Sequence, residues 1–219
     1  MAILLNDEIN SIRARFKKVQ SSNIYDALAE MGYPNQCLDL NYLGLKDDET
    51  LVGPAVTVRG TTMAFCKDEY QKYKGEGHDY LAREMYEGCV LVLESGGDTI
   101  SGKLGEFLAR RLKKQGAKGA LIDGPIRDVG PIRDLEDFTV YCKGRTPIPT
   151  DRNWFFRDVN EPITLKGALS AMVRVNPGDW IVADIEGVMV IPKEMMLKVL
   201  EKSEEIAAQE ESLRIQYSK

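Results

Sequence analysis

The central part of the chain alternates short apolar runs with glycine-rich turns. Residues 89–94 form a continuous apolar run ending in glutamate, which is typical of a strand covered on both faces. Residues 102–116 predict a helix that ends at a glycine. Its predicted apolar face is formed by Leu104, Phe107, Leu108 and Leu112. Residues 120–122 predict a second buried strand, which the Gly124-Pro125 pair is expected to end with a turn. The order strand, loop, helix, strand is that of a right-handed parallel crossover.

Arg127 and Asp128 are the charged residues that follow this second strand. Since open α/β sheets bind ligands at the carboxyl edge of their strands, the pair is expected at a ligand-binding edge. The crossover places the glycine loop of residues 95–99 at the same edge, with backbone N–H groups free at the helix start. The pattern therefore predicts a place where a carboxylate binds beside a cation.

Both ends of the chain are predicted to be helical. A first helix, capped by Asn6 or Asp7, has one apolar face: Ile9, Ile12, Phe16 and Val19. A second helix ends at Gly32 and carries Ile24, Ala27, Leu28 and Met31, and loops are expected from there to Val56. Residues 180–184 and 188–191 predict a hairpin. The tail 193–219 predicts a long helix with an apolar stripe formed by Met195, Met196, Val199, Leu200, Ile206 and Leu213.

Composition and charge are those of an ordinary globular enzyme subunit. The 219 residues are 43% hydrophobic and 29% charged, enough for one domain with a full core, and no second domain boundary is evident over residues 1–219. The net charge of -5 gives no basic footprint for nucleic acid. No signal-peptide pattern or membrane-length apolar stretch is present, so we expect no membrane association and a cytoplasmic location.

The scarcity of histidine and the spacing of the cysteines exclude several chemistries. His78 is the sole histidine, which argues against triad hydrolysis and His-rich zinc sites, and a structural role near the helix predicted over residues 80–86 is favoured. The four cysteines are scattered and predict reduced thiols: Cys37, Cys66, Cys89 and Cys142. Residues 95–98 lack the lysine and spacing of a phosphate-binding loop, which leaves nucleotide binding without support.

Several motifs together resemble one known family. They are Tyr25-Asp-Ala-Leu28, the strand-like residues 51–58, Gly105-Glu106 with residues 123–129, and the closing segments 176–184 and 187–192. The chain resembles the 4-hydroxy-4-methyl-2-oxoglutarate aldolases, a family that also contains the RraA-like regulators of ribonuclease activity. The resemblance implies a single α/β domain of mixed β/β/α layers, like a swivelling domain, with helix 193–219 contacting a neighbouring subunit.

The resemblance also implies roles for individual residues. Asp128 would bind a divalent ion directly, Glu106 would hold that ion through a water molecule, and Arg127 would grip a 2-oxo acid. The peptide N–H groups that follow Gly102 would hold the substrate carboxylate, namely those of Lys103, Leu104 and Gly105. Mg²⁺ or Mn²⁺ is the implied cofactor, since such hard ions take oxygen ligands and often keep several waters.

The implied reaction is that of a class II aldolase, a carbon–carbon lyase. It would cleave a 4-hydroxy-2-oxo acid to pyruvate and a second carbonyl compound, and it would also decarboxylate oxaloacetate. The resemblance implies a homotrimer or homohexamer with sites between subunits, in which a neighbour's Glu204 or Glu205 helps to bind the metal. Lys143, Arg145 and Arg152 are candidate cations for a distal substrate carboxylate.

Other interpretations of the same residues stay open. Arg127-Asp128 could be a solvated surface pair, Glu106 could simply begin a helix, and Glu204 and Glu205 could lie on a solvated helix face. Arg133-Asp134 more readily forms a surface salt bridge in a following helix. The aromatic residues 154–156 could belong to the core, a subunit contact or a rim over the site.

A protein-binding regulator is the alternative function. Regulators of this kind are shorter, so the segment 193–219 favours the enzyme.

Overall fold

The computed structural model describes residues 5–46, 48–62, 76–150 and 154–218, with the backbone alone described for 76–79. The helices within these ranges are α1 (Asn6–Phe16), α2 (Ser21–Glu30), α3 (Glu76–Arg83), α4 (Glu106–Lys114), α5 (Val129–Arg133) and α6 (Met196–Tyr217). The strands are β1 (Leu43–Gly44), β2 (Leu51–Thr62), β3 (Val90–Glu94), β4 (Gly119–Ile126), β5 (Thr139–Arg145), β6 (Trp154–Val159), β7 (Ile163–Lys166), β8 (Met172–Val175), β9 (Trp180–Ala183) and β10 (Val188–Ile191).

The main sheet curls around the long strand β2. Its order is β1-β5-β4-β3-β2-β9-β10, and β6 pairs with the far end of β2. Strands β2, β3, β4 and β5 run parallel to one another, whereas β1, β6 and β9 pair antiparallel with the strands beside them. Strands β7 and β8 form a separate antiparallel hairpin. Strand β2 pairs with β9 through its first residues and with β3 and β6 further along, so it joins the antiparallel part of the sheet to the parallel part.

Three buried clusters fill the spaces between the layers. One lies between the parallel strands and helices α3 to α5, and a second lies between β9–β10 and helices α1, α2 and α6. The third joins the parallel strands to the β7–β8 hairpin and to β9 and β10. This arrangement is the predicted α/β fold of mixed β/β/α layers with a long C-terminal helix, which is therefore confirmed.

The predicted crossover is present, with two corrections. Strand β3, helix α4 and strand β4 follow in order, and β3 and β4 are parallel. Gly124-Pro125 does not end β4, because the strand absorbs the pair as an irregularity in its pairing with β5 and continues to Ile126. Phe107 is not on the buried face and is 76% exposed. The buried side of α4 carries Leu108, Ala109 and Leu112, and Phe107 lies about 160° from Ala109 and about 140° from Leu112 around the helix.

The elements towards both ends of the chain are of the predicted type, but some of them begin or end at other residues than predicted. Leu5 caps α1 in place of the predicted Asn6 or Asp7, and the Leu5 N–H donates to Glu8 Oε2 at 2.8 Å. Strand β2 begins at Leu51, so the loop expected up to Val56 is shorter. The β9–β10 hairpin is confirmed. In α6 the buried stripe stops at Ile206, because the cluster that it packs against ends there, and Leu213 is 48% exposed.

The remaining structural predictions concern thiols, the histidine and the membrane. Cys37, Cys89 and Cys142 are free, and burial raises the pKa of the Cys89 thiol to about 11, while Cys66 lies outside the described residues. His78 falls within α3, which starts earlier than predicted, and its side chain lies outside the described part. Among the described residues no helix combines the length and apolar character needed to cross a membrane.

Candidate active site

The end of β4 lies directly beside the β3–α4 loop, residues 95–105. The Lys103 N–H donates to the Pro125 carbonyl at 3.0 Å, and the Arg127 N–H donates to the Leu104 carbonyl at 2.9 Å. On the other side of the loop, the Gly102 N–H donates to the Ile148 carbonyl at 2.8 Å. Backbone hydrogen bonds on both sides therefore fix the loop against the strand that carries Arg127 and Asp128.

Glycine at two positions permits this close approach. A Cβ atom on Gly105 would lie 2.8 Å from Asp128 Oδ2 and 3.1 Å from Arg127 Nε. A Cβ atom on Gly102 would lie 3.1 Å from Arg127 Cβ. Since real Cβ atoms do not approach other heavy atoms to 2.8 Å, Gly105 is required for both charged side chains to keep their positions.

Asp128 has an unusual backbone for a residue with a side chain. Its φ of 54° and ψ of 43° lie in the left-handed region, where strain of about 1–3 kcal/mol is common at functional sites. Oδ2 accepts a hydrogen bond from the Glu106 N–H at 3.1 Å and lies 3.6 Å from Arg127 Nε. The side chains of Arg127 and Asp128 are each 37% exposed, so a ligand can reach both.

The predicted donors of the loop are only partly available. The Lys103 N–H is already bonded to Pro125, which corrects the prediction that it holds the substrate carboxylate. Within the described residues, the N–H groups of Leu104 and Gly105 donate to no other group. Both residues immediately precede α4, where backbone N–H groups favour an anion, and the Gly105 backbone lies close to Arg127 Nε.

Glu106 begins α4 next to Asp128, and its carboxylate accepts from Arg110 Nε at 2.8 Å. That bond is an ordinary pairing of residues four apart on a helix. The structure therefore brings Glu106 to the site through its N–H bond to Asp128, while its carboxylate also takes part in a surface ion pair.

The donor set suits a hard divalent ion that keeps most of its own ligands. Asp128 and Glu106 supply carboxylate oxygens, and among the described residues no group of three or more His, Cys, Asp or Glu side chains gathers. An all-protein zinc or calcium cage does not fit this arrangement. Mg²⁺ or Mn²⁺ fits, because such ions are bound by one or two carboxylates together with water and substrate oxygens.

A polar cluster inside the loop is not among the predicted site residues. Asp98 Oδ1 accepts from the N–H groups of Ile100 at 2.7 Å and Ser101 at 3.1 Å, and the Ser101 hydroxyl donates to Oδ2. Burial opposes the charge, but these bonds and the Lys103 ammonium hold the pKa of Asp98 below its usual value. The signal in the sequence is the Asp-x-x-Ser spacing after a Gly-Gly pair, which is typical of an Asx turn.

Trp154 contacts the β3–α4 loop and helps to fix its position. Its indole N–H donates to the Ser95 carbonyl at 2.7 Å, and its ring occupies the space beside Gly60 that a Cβ there would need. Trp154 and Phe156 pack edge to face with ring centroids 5.1 Å apart. Of the open interpretations of the aromatic segment, the structure places Trp154 in the core.

The C-terminal glutamates are paired within their own chain. Glu204 accepts from Arg15 Nε at 2.8 Å and from Nη2 at 2.6 Å, which lowers the pKa of this carboxyl. Glu205 interacts with Lys202 and Gln209 on the same helix. Neither contact involves residues of the β3–α4 loop, and a metal role would have to come from another subunit.

The candidate cations for a distal carboxylate lie in different places. Lys143 is bound to Asp123 at 2.7 Å and lies 3.5 Å from Asp39, so its charge is already balanced. Arg145 is exposed and sits opposite Ile126 in the β4–β5 pairing, next to Arg127. Arg152 lies outside the described residues. By backbone position, Arg145 is therefore nearer to Arg127 than Lys143 is.

Residues 21–190 match the family model described as RraA-like, Aldolase/RraA. The chain belongs to the RraA-like family. It is 31% identical over 201 residues, 90% of this chain and 84% of the relative, to a protein of Halalkalibacterium halodurans that is provisionally named a 4-hydroxy-4-methyl-2-oxoglutarate aldolase. This result also agrees with the family resemblance of the sequence motifs.

Two solved structures support the fold. Streptomyces coelicolor RraAS2, described as an unusual member of the RNase ES inhibitor RraA family, has a TM-score of 0.78 at 25% identity, covering 93% of this chain and 96% of that chain. A protein described among novel cellulases from gut-associated microbes has a TM-score of 0.83 at 25% identity, covering 97% and 90%. The same fold thus occurs in proteins with different described activities, so function has to be argued from the site.

Proposed function

We propose that this RraA-like protein is a divalent-metal-dependent lyase acting on 2-oxo acids. It cleaves a 4-hydroxy-2-oxo acid to pyruvate and a second carbonyl compound, and it decarboxylates oxaloacetate. The observation that carries the proposal is the convergence of Arg127, Asp128 and two available N–H groups at one edge of the sheet. The provisional aldolase name of the Halalkalibacterium halodurans relative supports the same reaction class.

Each group at this edge has a distinct task. The N–H groups of Leu104 and Gly105 bind the substrate carboxylate, as expected for free donors at a helix start. Asp128 would hold the Mg²⁺ or Mn²⁺ ion directly, and Glu106 would hold it through water. When bound, the ion supplies Lewis-acid polarisation of the 2-oxo group.

Arg127 stabilises the charge that grows during bond cleavage. The C4 hydroxyl loses its proton to water as C4 becomes the second carbonyl group. The electron pair of the breaking C3–C4 bond moves toward the 2-oxo oxygen and gives the enolate of pyruvate, which then takes a proton from water at C3. The planar guanidinium offers two parallel donors to an oxygen pair, which lysine does not. Oxaloacetate loses CO₂ through the same enolate, and one set of groups therefore serves both reactions.

The proposal includes assembly as a homotrimer or homohexamer with the site between subunits. Phe107, Ile100 and Ile148 are large apolar side chains around the loop, and all three are exposed in the single chain. An apolar surface of this kind beside a site is typical of a protein contact. A neighbouring subunit could then supply Glu204 or Glu205 to the metal.

Measuring pyruvate release from a panel of 2-oxo acids tests the proposal. Purified protein is assayed with Mg²⁺, with Mn²⁺ and with chelator, on 4-hydroxy-2-oxo diacids, shorter 4-hydroxy-2-oxo acids and oxaloacetate. We expect metal-dependent release from oxaloacetate and from at least one hydroxy acid, and chelator should abolish both reversibly. Metal-loaded protein that releases pyruvate from none of them would contradict the proposal.

A protein-binding regulator is the second candidate, because RraAS2 shares the fold and is described within a family of ribonuclease inhibitors. RraAS2 matches 93% of this chain, so chain length and the long helix α6 do not by themselves separate the enzyme from the regulator. Capture of a ribonuclease or helicase by the protein, together with silence in the pyruvate assay, would favour the regulator.

A further inference from the structure

The predicted role of Lys103 concerned its backbone N–H group and gave no role to its side chain. The side chain is 0% exposed, and its ammonium lies inside the β3–α4 loop. Nζ donates to the carbonyls of Ser101 at 2.7 Å and Asp98 at 2.9 Å, and it lies 3.4 Å from Asp98 Oδ2. A buried ammonium is costly unless its protons are satisfied, and here three acceptors surround it.

The contacts of Lys103 connect the two halves of the loop. Its side chain reaches back to residues 98 and 101, while its own N–H is bonded to Pro125 on β4. Asp98 is in turn held by the Ser101 hydroxyl and by two N–H groups. Lys103 therefore ties a tight turn to the strand that leads to Arg127, and the next two residues are the donors Leu104 and Gly105.

We infer that Lys103 is a positioning residue whose ammonium fixes the Leu104 and Gly105 N–H groups for binding the substrate carboxylate. The inference rests on the proposed function and adds a residue that touches neither substrate nor metal. Burial lowers the pKa of Lys103, and the charge of Asp98 opposes that effect. The three acceptors around Nζ fit the charged form.

The kinetic effect of removing the Lys103 ammonium depends on what the Leu104 and Gly105 N–H groups bind, which is the substrate carboxylate. The substrate carboxylate is present before the reaction and in the transition state, so its contacts bind both states about equally. Loosening those contacts raises KM and leaves kcat nearly unchanged. A role limited to stability would instead lower the active fraction, which reduces apparent kcat at constant KM.

Lys103→Met keeps the apolar stem and removes the ammonium. We expect KM to rise about tenfold or more and kcat to change less than about threefold. The affinity for oxalate, measured by calorimetry with Mn²⁺, should fall by a similar factor. Lys103→Arg, which retains a charge in the loop, should fall between wild type and Lys103→Met.

Lys118→Met is the matched control. Lys118 lies before β4 at its opposite end and binds Asp137 at 2.8 Å and Glu87 at 3.0 Å. It also joins two segments through ion pairs, so its loss should lower thermal stability and leave KM and oxalate affinity unchanged. If Lys103→Met behaves like Lys118→Met, the inference is wrong.

A second variant keeps the inference testable if Lys103→Met does not fold. Asp98→Asn weakens the same tether without emptying the buried space, and we expect about a threefold rise in KM with kcat retained. An unchanged KM in Asp98→Asn would overturn the inference on its own. If wild-type protein neither releases pyruvate nor binds oxalate, the proposed function itself is wrong. Failure of the proposed function is therefore distinguishable from failure of the Lys103 inference.

Discussion

At the scale of single residues, the observed position of the Asp128 carboxylate depends on the absence of a side chain at Gly105. The backbone of Gly105 is extended, with φ of -120° and ψ of 171°, and any residue could adopt it. Glycine is required there for space alone, since a Cβ would meet Asp128 and Arg127. The pair Arg127-Asp128 is thus held in position by a residue that carries no chemistry.

Gly105→Ala tests this contact. We expect kcat/KM to fall by about tenfold or more, because the methyl group must displace the Asp128 carboxylate or the Arg127 guanidinium. Gly130→Ala is the control, since a Cβ at Gly130 meets nothing within 4 Å. Steady-state kinetics and thermal denaturation of both variants make the comparison. Equal activity in the two variants would show that the close approach is not needed.

Arg127→Lys separates the role of Arg127 in the transition state from a role in binding. The lysine keeps the charge and loses the planar fork, so we expect kcat to fall about 100-fold with little loss of stability. Kinetics on oxaloacetate and on a hydroxy acid should show similar factors. A rise in KM alone would mean that Arg127 binds the substrate in its ground state only.

At the scale of elements, the β3–α4 loop is stabilised by a carboxylate with a lowered pKa. Asp98 has a folded-state pKa below the ordinary value of 3.8, so its contribution to stability is complete above about pH 5. That contribution is lost as the pH falls through the folded-state pKa, because below it the Asp98 carboxyl is protonated in both the folded and the unfolded protein. The acid sensitivity of the loop is a direct consequence.

Thermal denaturation of wild type and Asp98→Asn over a pH series tests the loop. We expect the variant to unfold several degrees lower at pH 7, and the difference to shrink as the pH falls below about 4. A difference that stays constant down to pH 3 would mean that the Asp98 charge contributes nothing.

The type of each main element could be predicted from the sequence, because apolar period and glycine position determine it locally. Buried strand β3, the hairpin β9–β10 and helix α2 are examples. The end of β4 could not be predicted. A Gly-Pro pair ordinarily ends a strand, but pairing with β5 continues β4 past Gly124-Pro125. Phe107 was misplaced for a related reason, since the face of a helix that is buried depends on the elements that pack against it.

The site shows the same division between local and tertiary information. Arg127 and Asp128 could be located from strand order and the family motif, and their closeness to the loop follows from the crossover. The engaged N–H and buried ammonium of Lys103 could not, because both depend on tertiary partners. A lysine in a polar loop has no sequence signal that distinguishes a buried side chain from a solvated one.

At the scale of the whole molecule, the described part of a single chain offers few ligands to a metal. The described residues offer one or two carboxylates to a metal, and the apolar side chains around the loop are exposed. Both features agree with the proposed assembly. Within one chain, Glu204 is bound to Arg15 and Glu205 to its helix neighbours.

Subunit mixing tests whether sites are shared. We expect Asp128→Asn protein, mixed with protein carrying both Glu204→Gln and Glu205→Gln, to regain part of the activity after subunit exchange. Intact sites would then form where a normal Asp128 meets a neighbour with normal glutamates. A mixture of Asp128→Asn and Arg127→Lys chains should stay inactive, because both changes affect the same half of the site. No recovery in the first mixture would exclude both glutamates from the metal site.

Calorimetry with oxalate measures the site without depending on the identity of the substrate. Oxalate has the planar pair of oxygens found in pyruvate enolate, so it should bind wild-type protein in the presence of Mg²⁺ or Mn²⁺ and not in chelator. Asp128→Asn should weaken that binding by about two orders of magnitude, because an amide is a poor ligand for a hard dication. Absence of metal-dependent binding to wild type, or unchanged binding to a folded Asp128→Asn variant, would contradict a metal-dependent 2-oxo acid site at Asp128.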